Sequence, residues 1–183
     1  MGFSRNGHLA FMRYLPSGEC DTCLSIKLQV VNLKNDNLDL ILHFGGEGTK
    51  PKISSYEDLY KANEKEILEK LNKFEIIKSK GSLKLKKFPA DLDGSLFKVS
   101  LKQKENIFEG LYLHGPLGKK KVLSIFKRNQ TIPDNSSPAA VLGYLKSPFE
   151  KRIAILVARS TYVADSTSWD FKFVGADLTS RFK

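Results

Sequence analysis

The two cysteines of the chain, Cys20 and Cys23, are separated by two residues, a spacing that serves three kinds of chemistry. A structural zinc ion needs four ligands, and the sequence offers only three scattered histidines as further soft donors. A thioredoxin-like redox pair normally opens a helix whose terminus lowers a thiol pKa, whereas this pair lies between Gly18 and a strand. We therefore predict a disulfide that closes the tip of a β-hairpin in an oxidising compartment, with two reduced thiols as the alternative.

The histidines and one pair of aspartates are the other groups suited to general acid–base catalysis. His8 follows an Asn-Gly turn, His43 falls on the solvent side of a strand and His114 precedes a Gly-Pro turn. None has a serine or cysteine beside it in sequence, so surface positions are favoured over a catalytic triad. Asp91 and Asp93 lie in an Asp-Leu-Asp-Gly stretch that is typical of a turn. We predict no catalytic residue, no metal ligand and no cofactor.

Residues 45–50, Gly-Gly-Glu-Gly-Thr-Lys, share only their glycines with a phosphate-binding loop. The required spacing G-x-x-x-x-G-K-[ST] is absent. The residues before them alternate between apolar and polar, whereas a phosphate loop follows a buried parallel strand. A surface turn is therefore predicted here.

The chain carries a formal net charge of +10, which either attracts an acidic partner or keeps a lysine-rich surface soluble. Nucleic acid, anionic lipid and acidic polysaccharide are the partners that such a charge favours. The densest basic stretches are residues 78–87 and 119–128, in which lysines alternate with apolar residues as they do in strands. The acidic-partner patch predicted from these stretches consists of Lys84, Lys86, Lys119, Lys120, Lys121 and Arg128.

The elements that carry these residues are mostly strands. The apolar run 9–14 predicts a strand buried on both faces, and residues 24–30 and 38–44 alternate as half-buried strands do. An Asn- and Asp-rich turn at 34–37 joins the last two, so a meander of three antiparallel strands is predicted. The residues of the two alternating strands that should point inward are Leu24, Ile26, Leu28, Val30, Leu38, Leu40, Leu42 and Phe44.

One helix should follow this meander. Ser54 or Ser55 can cap its N-terminus, with Glu57 or Asp58 as the partner in a capping box. Apolar side chains then recur every three or four residues, which predicts a helix face packed against a sheet. These side chains are Tyr56, Leu59, Tyr60, Ile67, Leu68, Leu71 and Phe74.

The second half of the chain is predicted to return to strands. Turn residues occur at 91–94 and 115–118, and residues 131–138 have the composition of a mobile loop. The strands are expected at residues 82–88, 96–102, 107–114, 121–127, 140–145, 152–158 and 169–175. The predicted fold class is therefore α+β, mainly antiparallel β with one amphipathic helix packed on a sheet, in a single domain of residues 1–183.

Both ends of the chain resemble exported bacterial proteins. Residues 3–11, Phe-Ser-Arg-Asn-Gly-His-Leu-Ala-Phe, resemble the F-S-x-D/N-G-x-x-A-F strand of the WD40-like β-propeller repeat in periplasmic TolB-type proteins. Residues 144–154 and 173–178 resemble the end of a bacterial family of predicted secreted proteins that has no established activity. The resemblance implies export and a single domain. It does not extend to the helix, the basic middle or the cysteine pair.

The predicted function is that of an exported bacterial protein, periplasmic or extracellular, which acts as a binding or structural module without catalysis. A cytoplasmic location is the alternative, because no signal peptide precedes the motif and no apolar run reaches the roughly eighteen residues of a membrane span. The second hypothesis is a basic module that binds nucleic acid or another acidic polymer. A third is an enzyme whose pocket gathers His43 or His114 with carboxylates.

Overall fold

The computed structural model describes residues 1–16, 24–46, 53, 55–79, 83–104, 107–115, 137, 139–163 and 166–179. These residues divide into two compact units. Unit 1 comprises Met1–Leu83 and Pro148–Glu150, and unit 2 comprises Lys84–Ser147 and Lys151–Lys183. The described strands are antiparallel and accompany one helix, which confirms the α+β, mainly β fold class. The single domain inferred from chain length stays a prediction.

Unit 1 is a five-stranded antiparallel sheet with a helix packed on one face. The strand order is β4-β3-β2-β1-β5, so the three long strands form the predicted meander and two short strands extend it. The short strands carry no sequence signal, since each has only two residues. The elements are β1 (Gly2–Phe3), β2 (His8–Pro16), β3 (Leu24–Asn32), β4 (Asn37–Gly45), α1 (Tyr56–Lys73) and β5 (Ile77–Lys78).

The helix begins where its capping residues predict. The Ser55 hydroxyl accepts the backbone N–H of Asp58 at 3.1 Å and donates to the Asp58 carboxylate at 2.6 Å. Ser55 is therefore the cap, and Ser54 lies outside the described residues. Leu59, Ile67 and Leu71 are the buried part of the predicted stripe, and they pack in one cluster with the inward residues of β3. Within the described residues, no helix is long and apolar enough to cross a membrane.

The inward pattern predicted for β4 is wrong at one end. The pairing of β4 with β3 skips Asp39, and such a bulge reverses the faces of the residues beyond it. Leu38 is therefore 47% exposed, whereas Phe44, on the near side of the bulge, is buried. Leu40 and Leu42 are only half-buried, because β4 is an edge strand.

The burial predicted for both faces of β2 holds over part of its length. The successive residues Leu9, Ala10 and Phe11 are all buried, which requires cover on both faces. The strand then becomes exposed, and Tyr14 presents 51% of its surface to solvent. This exposed end of β2 forms one side of the candidate site.

Unit 2 contains two three-stranded antiparallel sheets, β6-β7-β8 and β11-β10-β9. Its core draws on both sheets, with Leu113, Ile153 and Val157 fully buried. Five of the strands predicted in this region are confirmed, and the last two run further than predicted; these are the strands predicted at 96–102, 107–114, 140–145, 152–158 and 169–175. The elements are β6 (Ala90–Leu92), β7 (Ser95–Lys104), β8 (Ile107–His114), β9 (Ala140–Lys146), β10 (Arg152–Val163) and β11 (Ser166–Asp177).

The strand predicted at residues 82–88 is wrong. Lys86 forms only an isolated antiparallel bridge with Tyr144, through backbone hydrogen bonds of 2.9 and 2.8 Å. Leu85 does not bury its side chain as an inward strand residue would, since it is 37% exposed. Pro89, which has no N–H to donate to a ladder, then limits any extension.

The turn predicted at residues 91–94 is shorter than expected. Asp91 belongs to β6, and only Asp93 and Gly94 form the turn between β6 and β7. Both have positive φ angles, 56° and 75°, as a type I′ hairpin turn requires. The strand predicted at 121–127 lies outside the described residues, as does the loop at 131–138 except for Ser137.

Candidate functional site: the tyrosine groove

An open groove of about 600 Å³ lies on unit 1 between the exposed end of β2 and the first turns of α1. We call it the tyrosine groove. β2 contributes Met12 and Tyr14 to its lining, and α1 contributes Tyr56, Glu57 and Tyr60. Three tyrosines in one groove provide a large apolar surface together with hydroxyl groups that hydrogen-bond.

Local periodicity places these side chains on facing surfaces. Met12 and Tyr14 are two residues apart, and they pair with Leu28 and Ile26 of the helix-covered face, so both point toward α1. On the helix, Tyr56 and Tyr60 are four residues apart and therefore share one face. The groove lies between these two sets of side chains, and Lys78 of β5 also belongs to its lining.

The rings in the groove hold one another in place. The rings of Tyr14 and Tyr56 meet edge to face, with centroids 5.1 Å apart and planes at 66°. This geometry aligns the positive edge of one ring with the negative face of the other. Tyr60 is oriented from the other side, because the Lys78 ammonium donates a hydrogen bond of 3.0 Å to its hydroxyl.

The lining of the groove includes two charged side chains of opposite sign, those of Lys78 and Glu57. Lys78 Nζ lies 5.7 Å from the centre of the Tyr60 ring, within range of a cation–π attraction. Glu57 is already paired with Lys61, 2.8 Å away on the next helical turn. Lys78 is therefore the charge best placed to attract a ligand, which favours ligands that combine an apolar or flat body with an acidic group.

A second group of residues has the composition of a catalytic triad. The His8 ring lies 3.5 Å from Ser4 Oγ through Nδ1 and 3.1 Å from an Asp39 carboxylate oxygen through Nε2. However, Ser4 is 0% exposed, and its hydroxyl accepts the backbone N–H groups of Asn6 and His8 at 3.1 and 3.0 Å. The serine therefore fixes the turn into β2 rather than facing a substrate.

The histidines differ from the isolated surface groups that the sequence predicts. His8 and His114 both contact serines, and the Ser100 hydroxyl lies 3.0 Å from His114 Nε2. The contact between Ser4 and His8 had a local signal in the sequence, since the two residues are four apart. The contact between Ser100 and His114 depends on the pairing of β7 with β8. His43 is exposed on β4 as predicted. In the described part of the chain, no three His, Cys, Asp or Glu side chains form a group that holds a metal.

Asp93 is held in its charged form. Lys146 donates it a hydrogen bond of 2.8 Å and adds its positive charge, and together these lower the pKa of Asp93 below 3.8. A general acid needs the opposite shift, so this carboxylate does not suit proton donation near neutral pH. Because the folded-state pKa is depressed, the ion pair stabilises the fold at neutral pH and is lost as pH falls through that pKa.

Replacing Lys146 with methionine is expected to raise the pKa of Asp93 toward its ordinary value, because both the hydrogen bond and the charge are removed. The measurement is a pH titration of the Asp93 carboxyl carbon by NMR. Lys151→Met is the matched control, since Lys151 contributes only the weakest of the four effects on this pKa. An unchanged Asp93 pKa in Lys146→Met contradicts the assignment.

Several predicted site residues fall outside the described part of the chain. These include Cys20 and Cys23, so the disulfide stays a prediction. In the acidic-partner patch, Lys84 and Lys86 are described and exposed. The other four members of the patch, Lys119, Lys120, Lys121 and Arg128, lie outside the described residues.

The structure describes only the first two residues of the glycine-rich stretch 45–50, Gly45 as the last residue of β4 and Gly46 directly after it, so the surface turn stays a prediction. Gly45 and Gly46 have φ angles of 81° and 105°, which only glycine adopts readily, while residues 47–50 are not among those described. The N–H of Gly46 donates to the carbonyl of Leu24 at 3.1 Å, closing the end of β4. This hydrogen bond holds Gly46 beside the first residue of β3.

Comparison with known proteins found no relative. No protein-family profile, no curated protein sequence and no solved structure matches this chain. The resemblance of its ends to a secreted bacterial family and to the TolB-type motif therefore stays a prediction. The residues of the N-terminal motif form β1, the turn fixed by Ser4 and the start of β2.

Proposed function

We propose that the protein is a binding module without catalysis, and that it holds its ligand in the tyrosine groove. The observation that supports this most directly is the exposed Tyr14 ring, packed edge to face on Tyr56 beside an open groove of about 600 Å³. Ligand sites are typically concave and largely apolar, with a few polar groups that orient the ligand. The tyrosine groove has these features.

The chemistry of the groove favours an acidic ligand with an aromatic or aliphatic body. The tyrosine rings offer stacking surfaces, and the Lys78 ammonium beside Tyr60 attracts a carboxylate, sulfonate or phosphate. A periplasmic or extracellular location is part of the proposal, and it rests on the resemblance at the two ends of the chain alone.

Methionine NMR tests this proposal directly. The chain has only two methionines, and both line the groove, so methyl-labelled methionine gives a signal for Met12 at the site itself. The probes are a panel of aromatic carboxylates and the matching uncharged amides. We expect the carboxylates to shift the Met12 methyl signal and to bind about threefold more tightly than the amides, because of Lys78.

The matched variants are two tyrosines of equal exposure. Tyr14→Ala removes a groove wall and should weaken binding of the carboxylates about tenfold. Tyr162→Ala removes a ring of unit 2 that is 52% exposed, similar to the 51% of Tyr14, and should leave binding unchanged. A Met12 signal that no probe shifts, or equal losses in both variants, would overturn the proposal.

A basic module that binds acidic polymers is the second candidate. Lys84 and Lys86 are both exposed, and the net charge of +10 supports long-range attraction to polyanions. Heparin titrated into the same labelled protein separates the two candidates. Binding that leaves the Met12 signal unmoved, survives Tyr14→Ala and falls steeply with salt would favour the second.

A further inference from the structure

The strand β4 lies at one end of the sheet of unit 1, and β5 lies at the other end. Among the strands that the structure describes, β3 is the only one that pairs with β4. The chain enters β4 from the turn at 33–36 and leaves it through Gly46, so this edge lies within the chain rather than beside either end of the sequence. Lysine and proline commonly protect edge strands from further pairing. β4 has neither, although the chain contains 30 lysines and arginines.

The ladder geometry shows which backbone groups of β4 face outward. Gly46 donates its N–H to the carbonyl of Leu24 at 3.1 Å, so the backbone polar groups of Gly46 face β3. Alternate residues of a strand direct these groups to the same side. Those of Leu42 therefore also face β3, whereas those of Ile41 and His43 face outward. In the part of the chain that the structure describes, no hydrogen bond reaches these outward groups.

The regular part of this edge is symmetric about one residue. The bulge at Asp39 interrupts the strand on one side. Gly45, which has a φ angle of 81°, ends its extended backbone on the other side. The regular stretch is therefore residues 40–44, and its central residue is Leu42. A strand with outward groups placed evenly on both sides of a central residue complements a second copy of itself in the antiparallel sense.

We propose that a second copy of this chain adds to the outer edge of β4, so that two sheets of unit 1 join across a two-fold axis at Leu42. Ile41 of each copy then lies opposite His43 of the other copy, and each such pair exchanges N–H···O hydrogen bonds in both directions. The proposal goes beyond the tyrosine groove, and neither depends on the other.

The side chains of β4 favour a partner of the same composition. Leu40 and Leu42 pack against the cluster beneath α1 but are only half-buried, and Ile41 on the other face is 42% exposed. The two-fold axis places Leu40 of one copy opposite Phe44 of the other copy and Leu42 opposite its own counterpart. The apolar cluster of one unit 1 then continues into the next and removes more apolar surface from water. A contact of this small size is typical of a weak dimer.

Self-association of the full chain is measured by analytical ultracentrifugation over about a hundredfold range of protein concentration. We expect a monomer–dimer equilibrium that strengthens as salt is added, because salt screens the repulsion between two chains that each carry a net charge of +10. Binding of an acidic polymer has the opposite dependence on salt. A chain that stays monomeric throughout this range contradicts the proposal.

Hydrogen exchange locates the contact between the two copies. The amides of Ile41 and His43 should exchange more slowly as the protein concentration rises, whereas that of Leu42, which faces β3, should change little. If the amides of Ile41 and His43 are already protected in the monomer, another part of the protein covers this edge and the proposal is wrong.

A disulfide cross-link tests the position of the two-fold axis. The two Leu42 residues form a non-hydrogen-bonded pair with Cα atoms about 4.5 Å apart, a distance that a disulfide spans. Leu42→Cys, in a chain whose Cys20 and Cys23 are replaced by serine, should therefore form a covalent dimer under mild oxidation. Leu40→Cys is the matched control, because its two copies lie about 14 Å apart in the same dimer. Equal cross-linking of the two variants, or of neither, contradicts the proposed register.

Adding a lysine to the edge tests the contact without a cross-link. Ile41→Lys should weaken dimerisation about tenfold or more, because it places a charge in the apolar contact. Leu96→Lys adds the same charge at a leucine of unit 2 that is 54% exposed, and it should leave dimerisation nearly unchanged. Equal losses in the two variants would show that net charge alone controls self-association, and this result would overturn the role of β4.

Discussion

Alanine in place of Ile67 is expected to lower the free energy of unfolding by about 2–5 kcal/mol. Ile67 is 0% exposed and packs in the cluster that joins α1 to the sheet of unit 1, with Ile26 and Leu28 among its members. The substitution removes buried methyl and methylene groups and leaves a cavity that the surrounding side chains fill only in part. Urea titration followed by far-ultraviolet circular dichroism measures the loss, since the helical signal reports on α1.

Glu66→Ala is the matched control for this prediction. Glu66 is the preceding residue of the same helix and is exposed, so its replacement should change the free energy of unfolding by no more than about 0.5 kcal/mol. If Ile67→Ala costs as little as Glu66→Ala, the helix face is not packed. The apolar stripe of α1 would then be exposed as a docking surface for a partner.

Alanine in place of Gly143 is expected to destabilise unit 2 by about 2–4 kcal/mol. Gly143 has a φ angle of 149°, which side chains rarely adopt, and a Cβ there would meet the carbonyl oxygen of Lys86 and the side chain of Leu85. The same Lys86 carbonyl accepts the N–H of Tyr144 at 2.8 Å. The added methyl group therefore strains the backbone of Gly143 and also disturbs the bridge between Lys86 and Tyr144.

Hydrogen exchange of the amides of β9 and β10 measures this effect, because the loss of stability speeds opening of the sheet that they form. Gly94→Ala separates the strain of a positive φ angle from the steric clash of the added Cβ. Gly94 also has a positive φ angle, 75°, but a Cβ there meets no heavy atom within 4 Å. Its replacement should cost only the backbone strain, about 1–2 kcal/mol. A Gly143→Ala variant that exchanges no faster than Gly94→Ala would show that the close approach to Lys86 is not real.

Local patterns in the sequence were sufficient to predict most of the helices, strands and turns that the structure describes. The alternation in residues 24–30, the helical spacing from Tyr56 to Phe74 and the Asp93-Gly94 turn all appear in the structure. Each of these signals lies within consecutive residues, because side-chain periods and turn conformations are set by the backbone of one segment. The Ser55 cap is predictable for the same reason, since its partner Asp58 is three residues away.

Only the tertiary structure decided where the candidate site lies. Tyr14 and Tyr56 meet because β2 pairs with β3 and α1 packs across that sheet, and no local pattern links two residues so far apart in the chain. The bulge at Asp39 likewise depends on the register between two strands, and it alone moved Leu38 to the exposed face. The amino-acid sequence by itself determined the helix and the main strands, because their free energy is largely that of local conformation and of burying one face. The groove arises from which strands pair and from how the helix packs on the sheet, and both depend on contacts between distant segments.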